Sequence, residues 1–240
     1  MDKLYSLQNG TDIRGVAYKD DKSDLEITLT REDVKNLVRG FATWIIDKDK
    51  KDHIKISIGT DSRLTGPDFR QACVEALTEI GVDVVDCGMA TTPAMFMSTI
   101  IDGYKCDGAI MFTASHMPYV YNGLKMFTSQ GCLEKTDLKD LIDICVAGNF
   151  VDGNSRGNLI EKDLIEDYAQ ILVDKIRAGV ASPENYEKPL AGMKIIVDAG
   201  NGAGGFFADK VLARLGADTR GSQFLNPDGM FPNHIPNPEN

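Results

Sequence analysis

His53-Ile-Lys-Ile-Ser-Ile-Gly59 alternates apolar and polar residues and closes on glycine. The stretch behind it is opened by Pro67 and carries Phe69, Cys73, Ala76, Leu77 and Ile80 on one helical face. The order is therefore strand, loop, helix. Working outward, Val82-Asp-Val-Val-Asp-Cys87 repeats the strand signal, Thr91-Thr-Pro93 turns into a short helix, and Asp107-Gly-Ala-Ile-Met-Phe112 is a third strand. Upstream, Thr30 and Asp33 form a capping-box start for a helix whose apolar stripe is Val34, Leu37, Val38, Phe41 and Ile45. Downstream, helices are predicted over residues 136–147 and 161–177, the second with Leu164, Ile165, Tyr168, Ile171, Leu172 and Ile176 as its stripe. Such alternation implies parallel strands with helices on both faces: an α/β fold, a three-layer α/β/α sandwich with a mixed, mainly parallel sheet.

The periodicity stops at Gly179-Val-Ala-Ser-Pro-Glu-Asn-Tyr-Glu-Lys-Pro189, a candidate linker. A second α/β unit opens after it, with a strand at Lys194-Ile-Ile-Val-Asp198, a glycine loop at Gly200 to Gly205, and a helix carrying Phe207, Val211, Leu212 and Leu215. Beyond Gly216 there is signal for at most one weak strand before the proline-rich stretch from Asn226 to Asn240. We divide the chain into a first domain over residues 1–188 and the incomplete start of a second similar domain over 189–240, since about 50 residues are too few for an independent doubly wound domain. The expectation is the N-terminal part of a longer polypeptide.

Composition narrows the function classes. The 240 residues hold 26 Lys+Arg and 36 Asp+Glu, a formal net charge of −10. An acidic surface with no basic cluster disfavours nucleic acid as a partner, but a few local cations and backbone amides suffice for a sugar phosphate. No window approaches the roughly 18 apolar residues of a membrane span, and no signal peptide is evident, so no membrane partner is expected and the cytoplasm is the expected location. Cys73, Cys87, Cys106, Cys132 and Cys145 are odd in number and never spaced C-x-x-C, which reads as reduced thiols. Oligomeric state has no signature in the sequence.

Two loops carry candidate chemistry. Gly200-Asn-Gly-Ala-Gly-Gly205 fits G-x-G-x-x-G between a strand and a helix, the context of a dinucleotide site. Asp218, the acidic residue at the expected distance, precedes rather than follows any strand, so a tight strand-to-helix corner is the preferred reading. Thr113-Ala-Ser115-His116-Met117-Pro118 follows the strand ending at Phe112, the strand end at which open α/β sheets bind ligands. Ser115 reads either as a reactive hydroxyl or as a loop cap. A Ser115–His116 hydrolase lacks both a G-x-S-x-G elbow and a third triad member.

The serine loop, with Tyr121-Asn-Gly-Leu-Lys125 behind it, resembles the active-serine loop of the α-D-phosphohexomutase superfamily, the phosphoglucomutase/phosphomannomutase enzymes. Asn9-Gly-Thr-Asp-Ile-Arg-Gly15, Ile58-Gly-Thr-Asp-Ser-Arg63 with Gly66-Pro67, and Val197-Asp-Ala-Gly-Asn-Gly-Ala-Gly204 resemble three further motifs of that family in the same order. The resemblance implies a four-domain enzyme of roughly 400–600 residues, of which this chain covers the first domain and the opening of the second. It implies transfer of a phosphoryl group between the 1- and 6-positions of a hexose phosphate through a bisphosphorylated intermediate. A hexose 1,6-bisphosphate serves as activator, and Ser115 is the phosphoryl carrier. It implies Mg2+, bridging the Ser115 phosphate to aspartates of a D-G-D-x-D-R motif that does not occur in these residues. The chain by itself is therefore expected to be inactive.

By motif matching, Lys125 is a general acid/base and Arg14 orients phosphate, while His116 either lines the site or braces the loop. Asp61 and Arg63 either support the serine loop or cap the helix at Pro67, the structural role being favoured. Met117 replaces the asparagine usual after T-A-S-H, and Tyr119-Val-Tyr121 replaces a small or acidic pair, which suggests a distinct branch of the family. The competing readings are a non-catalytic phosphosugar-binding or assembly module, the serine hydrolase, and a nucleotide-binding domain.

Overall fold

A computed structural model describes residues 3–21, 24–153 and 155–237, so the last three residues of the proline-rich stretch lie outside it. In chain order the elements are α1 (Lys3–Ser6), β1 (Gln8–Asn9), β2 (Asp12–Val16), α2 (Arg31–Asp49), β3 (Lys55–Thr60), α3 (Gly66–Glu79), β4 (Asp83–Met89) and α4 (Thr92–Met97). These are followed by β5 (Gly108–Phe112), β6 (Tyr121–Thr128), β7 (Gly131–Cys132), α5 (Lys135–Ala147), β8 (Leu159–Glu161) and α6 (Leu164–Val180). The start of α2 is fixed by a reciprocal cap: Asp33 N–H donates to Thr30 Oγ1 at 3.2 Å and Thr30 N–H donates to Asp33 Oδ2 at 2.8 Å.

The sheet runs in the order β1-β2-β6-β5-β3-β4-β8. Strands β5, β3, β4 and β8 are parallel to one another, whereas β1, β2, β6 and β5 pair antiparallel and β7 pairs only with β6. The period of two sorts each strand's side chains by face. Ile56, Ile58, Val84, Ile110 and Phe112 join the core under α2, α3 and α5, while Val85, Cys87, Ala109 and Met111 join the core under α4 and the start of α6. Each large apolar side chain so buried contributes about 1.5–3 kcal/mol, and that burial makes a three-layer sandwich of the alternation.

The antiparallel flank has a steric condition at Gly123. A Cβ there would stand 2.1 Å from the Ile13 carbonyl oxygen, 3.0 Å from that of Thr113 and 3.2 Å from the Arg14 Cα. All three are backbone atoms, Ile13 and Arg14 held by the β2–β6 ladder and Thr113 by its N–H donating to Gly123 O at 3.0 Å, so none can swing aside. Gly123→Ala is expected to cost about 1–3 kcal/mol or more by prising β2 from β6. The shift of the urea midpoint checks this, and an unchanged midpoint would show that the two strands are not held this close.

Helix α6 is shared between the two units. Leu164 and Tyr168 pack in the first unit's core, whereas Ala169 and Val173 pack against Val211 and Leu215. Glu166 adds ion pairs to Lys210 and Arg214. Residues 194–198, expected as a strand, make isolated parallel bridges instead, Lys194 to Asp218 and Asp198 to Gln223. Ile196 within that segment is 55% exposed. The expected helix behind the glycine loop is present as Phe207–Ala213.

Candidate active site

Ser115 sits at the carboxyl end of β5, is exposed, and has φ +57°. A left-handed backbone at a residue other than glycine persists only where its surroundings enforce it. Hydrogen bonds on both sides of the residue enforce it here. Thr113 Oγ1 accepts the Ser115 N–H at 3.0 Å and donates to Asp61 Oδ2 at 2.6 Å. Arg63 then grips the loop's carbonyls: Nη2 donates to Ser115 O at 2.8 Å and Met117 O at 2.7 Å, and Nη1 donates to Pro118 O and Tyr121 O, both at 2.8 Å. Its Nε donates to Asp61 Oδ2 at 3.2 Å.

All five N–H groups of the guanidinium are thus used, and the residue is only 1% exposed. Burial works against the Arg63 charge, the Asp61 carboxylate favours it, and Arg14 adds repulsion. Burial likewise pushes the Asp61 carboxyl up, opposed by Arg63 and by the Thr113 hydroxyl. The side chains of Asp61 and Arg63 are therefore spent on the serine loop. The residue at the cap of α3, Thr65, makes no side-chain cap bond and accepts instead from Asn122 Nδ2 at 2.9 Å.

Arg14 and Lys125 meet elsewhere. The register pairs Ile13 with Leu124 and so sets β2 beside β6 at this level. Arg14 Nη2 donates to Asp12 Oδ2 at 2.9 Å, and Lys125 Nζ donates to the same oxygen. Asp12 is 6% exposed and was not singled out from its motif, although a carboxylate two residues before Arg14 on one strand shares its face. Neither cation lines the cleft into which Ser115 faces, and His116 is exposed on the loop outside it.

That cleft has a volume of about 320 Å³ and lies between the units, walled by Asp61, Ser62 and Ser115 on one side and by Asp198, Gly200 and His234 on the other. His234 is the second residue the motif reading missed. Its Nε2 lies 3.1 Å from Asp198 Oδ1 and its Nδ1 lies 3.0 Å from Ile235 O. Both partners only accept, so the ring satisfies them fully as an imidazolium. The Ile235 carbonyl and then Asp198 raise the His234 pKa. A raised pKa contributes stability that is fully present below the ordinary value near 6.5 and lost as pH rises through the folded value. Asp198→Asn should move the imidazole titration, followed by NMR, toward lower pH, and an unmoved titration would show that the pair is not formed. The glycine loop works by close approach: a Cβ on Gly200 would meet the His234 ring at 2.8 Å and one on Gly205 the Leu225 carbonyl oxygen at 2.0 Å.

Among the described residues no group of three or more His, Cys, Asp or Glu side chains is placed to hold a metal ion. The carboxylates lining the cleft are already engaged, Asp61 with Arg63 and Thr113, and Asp198 with His234, Gln223 and the Gly200 N–H. The residues present therefore do not build a magnesium site by themselves. No described helix is long and apolar enough to cross a membrane. Among the described residues the five cysteines form no disulfide; Cys132 is exposed, the other four are buried, and burial pushes Cys106 up to about 11.

Comparison with known proteins identifies the family and the fold. Residues 6–149 match the profile described as phosphoglucomutase/phosphomannomutase, alpha/beta/alpha domain I, and residues 170–240 match that of domain II. The chain is 33% identical over 228 residues to a phosphoglucomutase of Neisseria meningitidis, covering 95% of the chain and 44% of that protein. It is 34% identical over 192 residues to a phosphomannomutase of Escherichia coli, covering 77% of the chain and 40% of that protein. A crystal structure of a phosphoglucomutase/phosphomannomutase family protein from Burkholderia thailandensis superposes with a TM-score of 0.78 at 27% identity, covering 99% of this chain and 47% of that one. The chain spans less than half the length of the relatives it matches.

Proposed function

The chain belongs to the phosphoglucomutase/phosphomannomutase family, and from that premise we propose that it is the serine-bearing part of a phosphohexomutase, with Ser115 as the phosphoryl carrier. One observation carries the reading: an exposed serine hydroxyl on a left-handed residue whose backbone is fixed on both sides, by Thr113 at its N–H and by Arg63 at its C=O. Phosphoryl transfer asks for positioning and charge neutralisation more than for covalent help from the protein. A hydroxyl held by its own backbone meets the first demand.

In the forward half-reaction the phosphorus–oxygen bond of the Ser115 phosphate breaks as a bond forms to a hydroxyl oxygen of the hexose monophosphate. The serine oxygen departs as the leaving group and takes up the proton that the attacking hydroxyl gives up; on motif matching Lys125 is the general acid in this exchange, its Nζ being a proton donor already, to Asp12. In the second half-reaction the bisphosphate, turned end for end, returns its other phosphoryl group to Ser115. Arg14 and Lys125, fixed by Asp12, supply positive charge on the β2 and β6 side of the loop. Magnesium, when bound, would neutralise the serine phosphate. Its further ligands would come from residues outside this chain, which on this reading turns over no substrate by itself.

The test is a coupled assay of the complete gene product with glucose 1-phosphate and, separately, mannose 1-phosphate, with a trace of the hexose 1,6-bisphosphate. Formation of the 6-phosphate that depends on the bisphosphate supports the proposal. No turnover of either sugar with magnesium and bisphosphate present overturns it for these two hexoses.

A further inference from the structure

The Arg63 guanidinium spends every in-plane N–H on the serine loop and Asp61, which leaves only its two faces. One face is taken by an aromatic ring from the other unit: the guanidinium carbon lies 5.3 Å from the centroid of Phe231. Phe231 is itself left-handed, at φ +49°. For a bulky residue that is a strained backbone, held because the surroundings demand it.

The demand shows two residues earlier. A Cβ on Gly229 would stand 2.4 Å from the Ser62 carbonyl oxygen and 2.7 Å from the Leu64 N. Only glycine lets this turn press on the backbone flanking Arg63. The turn is also tied to its own unit's glycine loop, since Asp228 N–H donates to Asn201 O at 2.8 Å. The Asn201 side chain donates to Asn226 O at 2.9 Å and accepts from Asn233 Nδ2 at 2.7 Å. A continuous path thus runs from the glycine loop through the turn and Phe231 to Arg63, and from Arg63 to the carbonyl of Ser115 itself.

We infer that Phe231 is a positioning residue for Ser115: its ring caps the Arg63 guanidinium and couples the placement of the second unit to the serine loop. A ring cannot hydrogen-bond in competition with the loop carbonyls. It shields the cation from water, which strengthens the four bonds Arg63 makes to those carbonyls, and it adds a cation–π attraction. The inference rests on the phosphohexomutase reading for its catalytic consequence, whereas its structural test does not.

Hydrogen exchange of the complete gene product provides that test. The Ser115, Met117 and Tyr121 amides are hydrogen-bonded within the loop, to Thr113 Oγ1, Ala114 O and Pro118 O. Phe231→Leu keeps an apolar side chain but removes the ring face, so exchange in peptides spanning residues 113–121 should quicken about tenfold while the β5 amides stay within about twofold. Phe231→Tyr, which keeps the ring, should restore wild-type exchange, and kcat should fall with exchange in Phe231→Leu while KM holds. Unchanged loop exchange in Phe231→Leu overturns the inference, as does an equal rise throughout the sheet. Equal loss in Phe231→Tyr also overturns it. If the wild-type protein shows no mutase turnover, the functional reading fails, and the exchange pattern still decides the coupling.

Discussion

Ser115→Ala is expected to lower mutase turnover of the complete gene product by about 10⁴-fold or more while leaving the fold in place, as removal of a covalent nucleophile does elsewhere. The fold should survive because the bonds that hold residue 115 run through its backbone N–H and C=O. Alanine pays the same left-handed strain as serine, so the position becomes no worse. Steady-state turnover with the 1-phosphate substrates, beside a thermal midpoint for each protein, checks both halves. A loss smaller than about tenfold would mean that the phosphoryl group is carried elsewhere. A collapsed midpoint would mean that the hydroxyl is structural, the loop-cap alternative the sequence left open.

Arg63→Met should produce the largest change in stability, about 3–5 kcal/mol of destabilisation read from denaturant midpoints. Methionine fills much of the volume, so the cost is electrostatic. It leaves four loop carbonyls without a donor and Asp61 as a buried carboxylate without its cation. The pH dependence tests that cause. Burial already raises the Asp61 pKa and Arg63 opposes the rise, so removing Arg63 lifts it further. A carboxyl whose folded pKa lies above its unfolded value favours the folded state at low pH, and that advantage is lost as pH rises from the unfolded pKa through the folded one. The deficit of Arg63→Met should therefore shrink as pH falls from 7 toward about 4, and adding Asp61→Asn should remove that extra dependence. A deficit that is flat in pH would assign the loss to the carbonyls alone.

How much of this was legible in the sequence depended on the kind of signal. The parallel part of the sheet and its helices were readable because Ile56 and Ile58 alternate with polar neighbours, because β4 and β5 are short apolar runs between turns, and because Thr30 and Asp33 announce a helix start. Strands β2 and β6 were not placed as strands. Their alternation is broken by Gly15 and Gly123 and interrupted by Asp12, Arg14, Asn122 and Lys125, polar or charged residues that hide the apolar period. Strand β8 is three exposed residues, too short to carry a period.

The site was legible as motifs and not as contacts. Ser115 stood out by its place after a strand, whereas the grip of Arg63 on four carbonyls depends on a loop path that no spacing encodes. Asp12, His234 and Phe231 were missed for a related reason. Each acts on a residue far away in sequence: Asp12 on Lys125, His234 on Asp198, and Phe231 on Arg63.

The most direct test of the central claim is the mass of the peptide containing Ser115, from the complete gene product after incubation with a hexose 1,6-bisphosphate and magnesium. The account predicts a stoichiometric gain of about 80 Da on Ser115, removed when glucose 1-phosphate or mannose 1-phosphate is added. A Ser115 that stays unmodified under those conditions would contradict it.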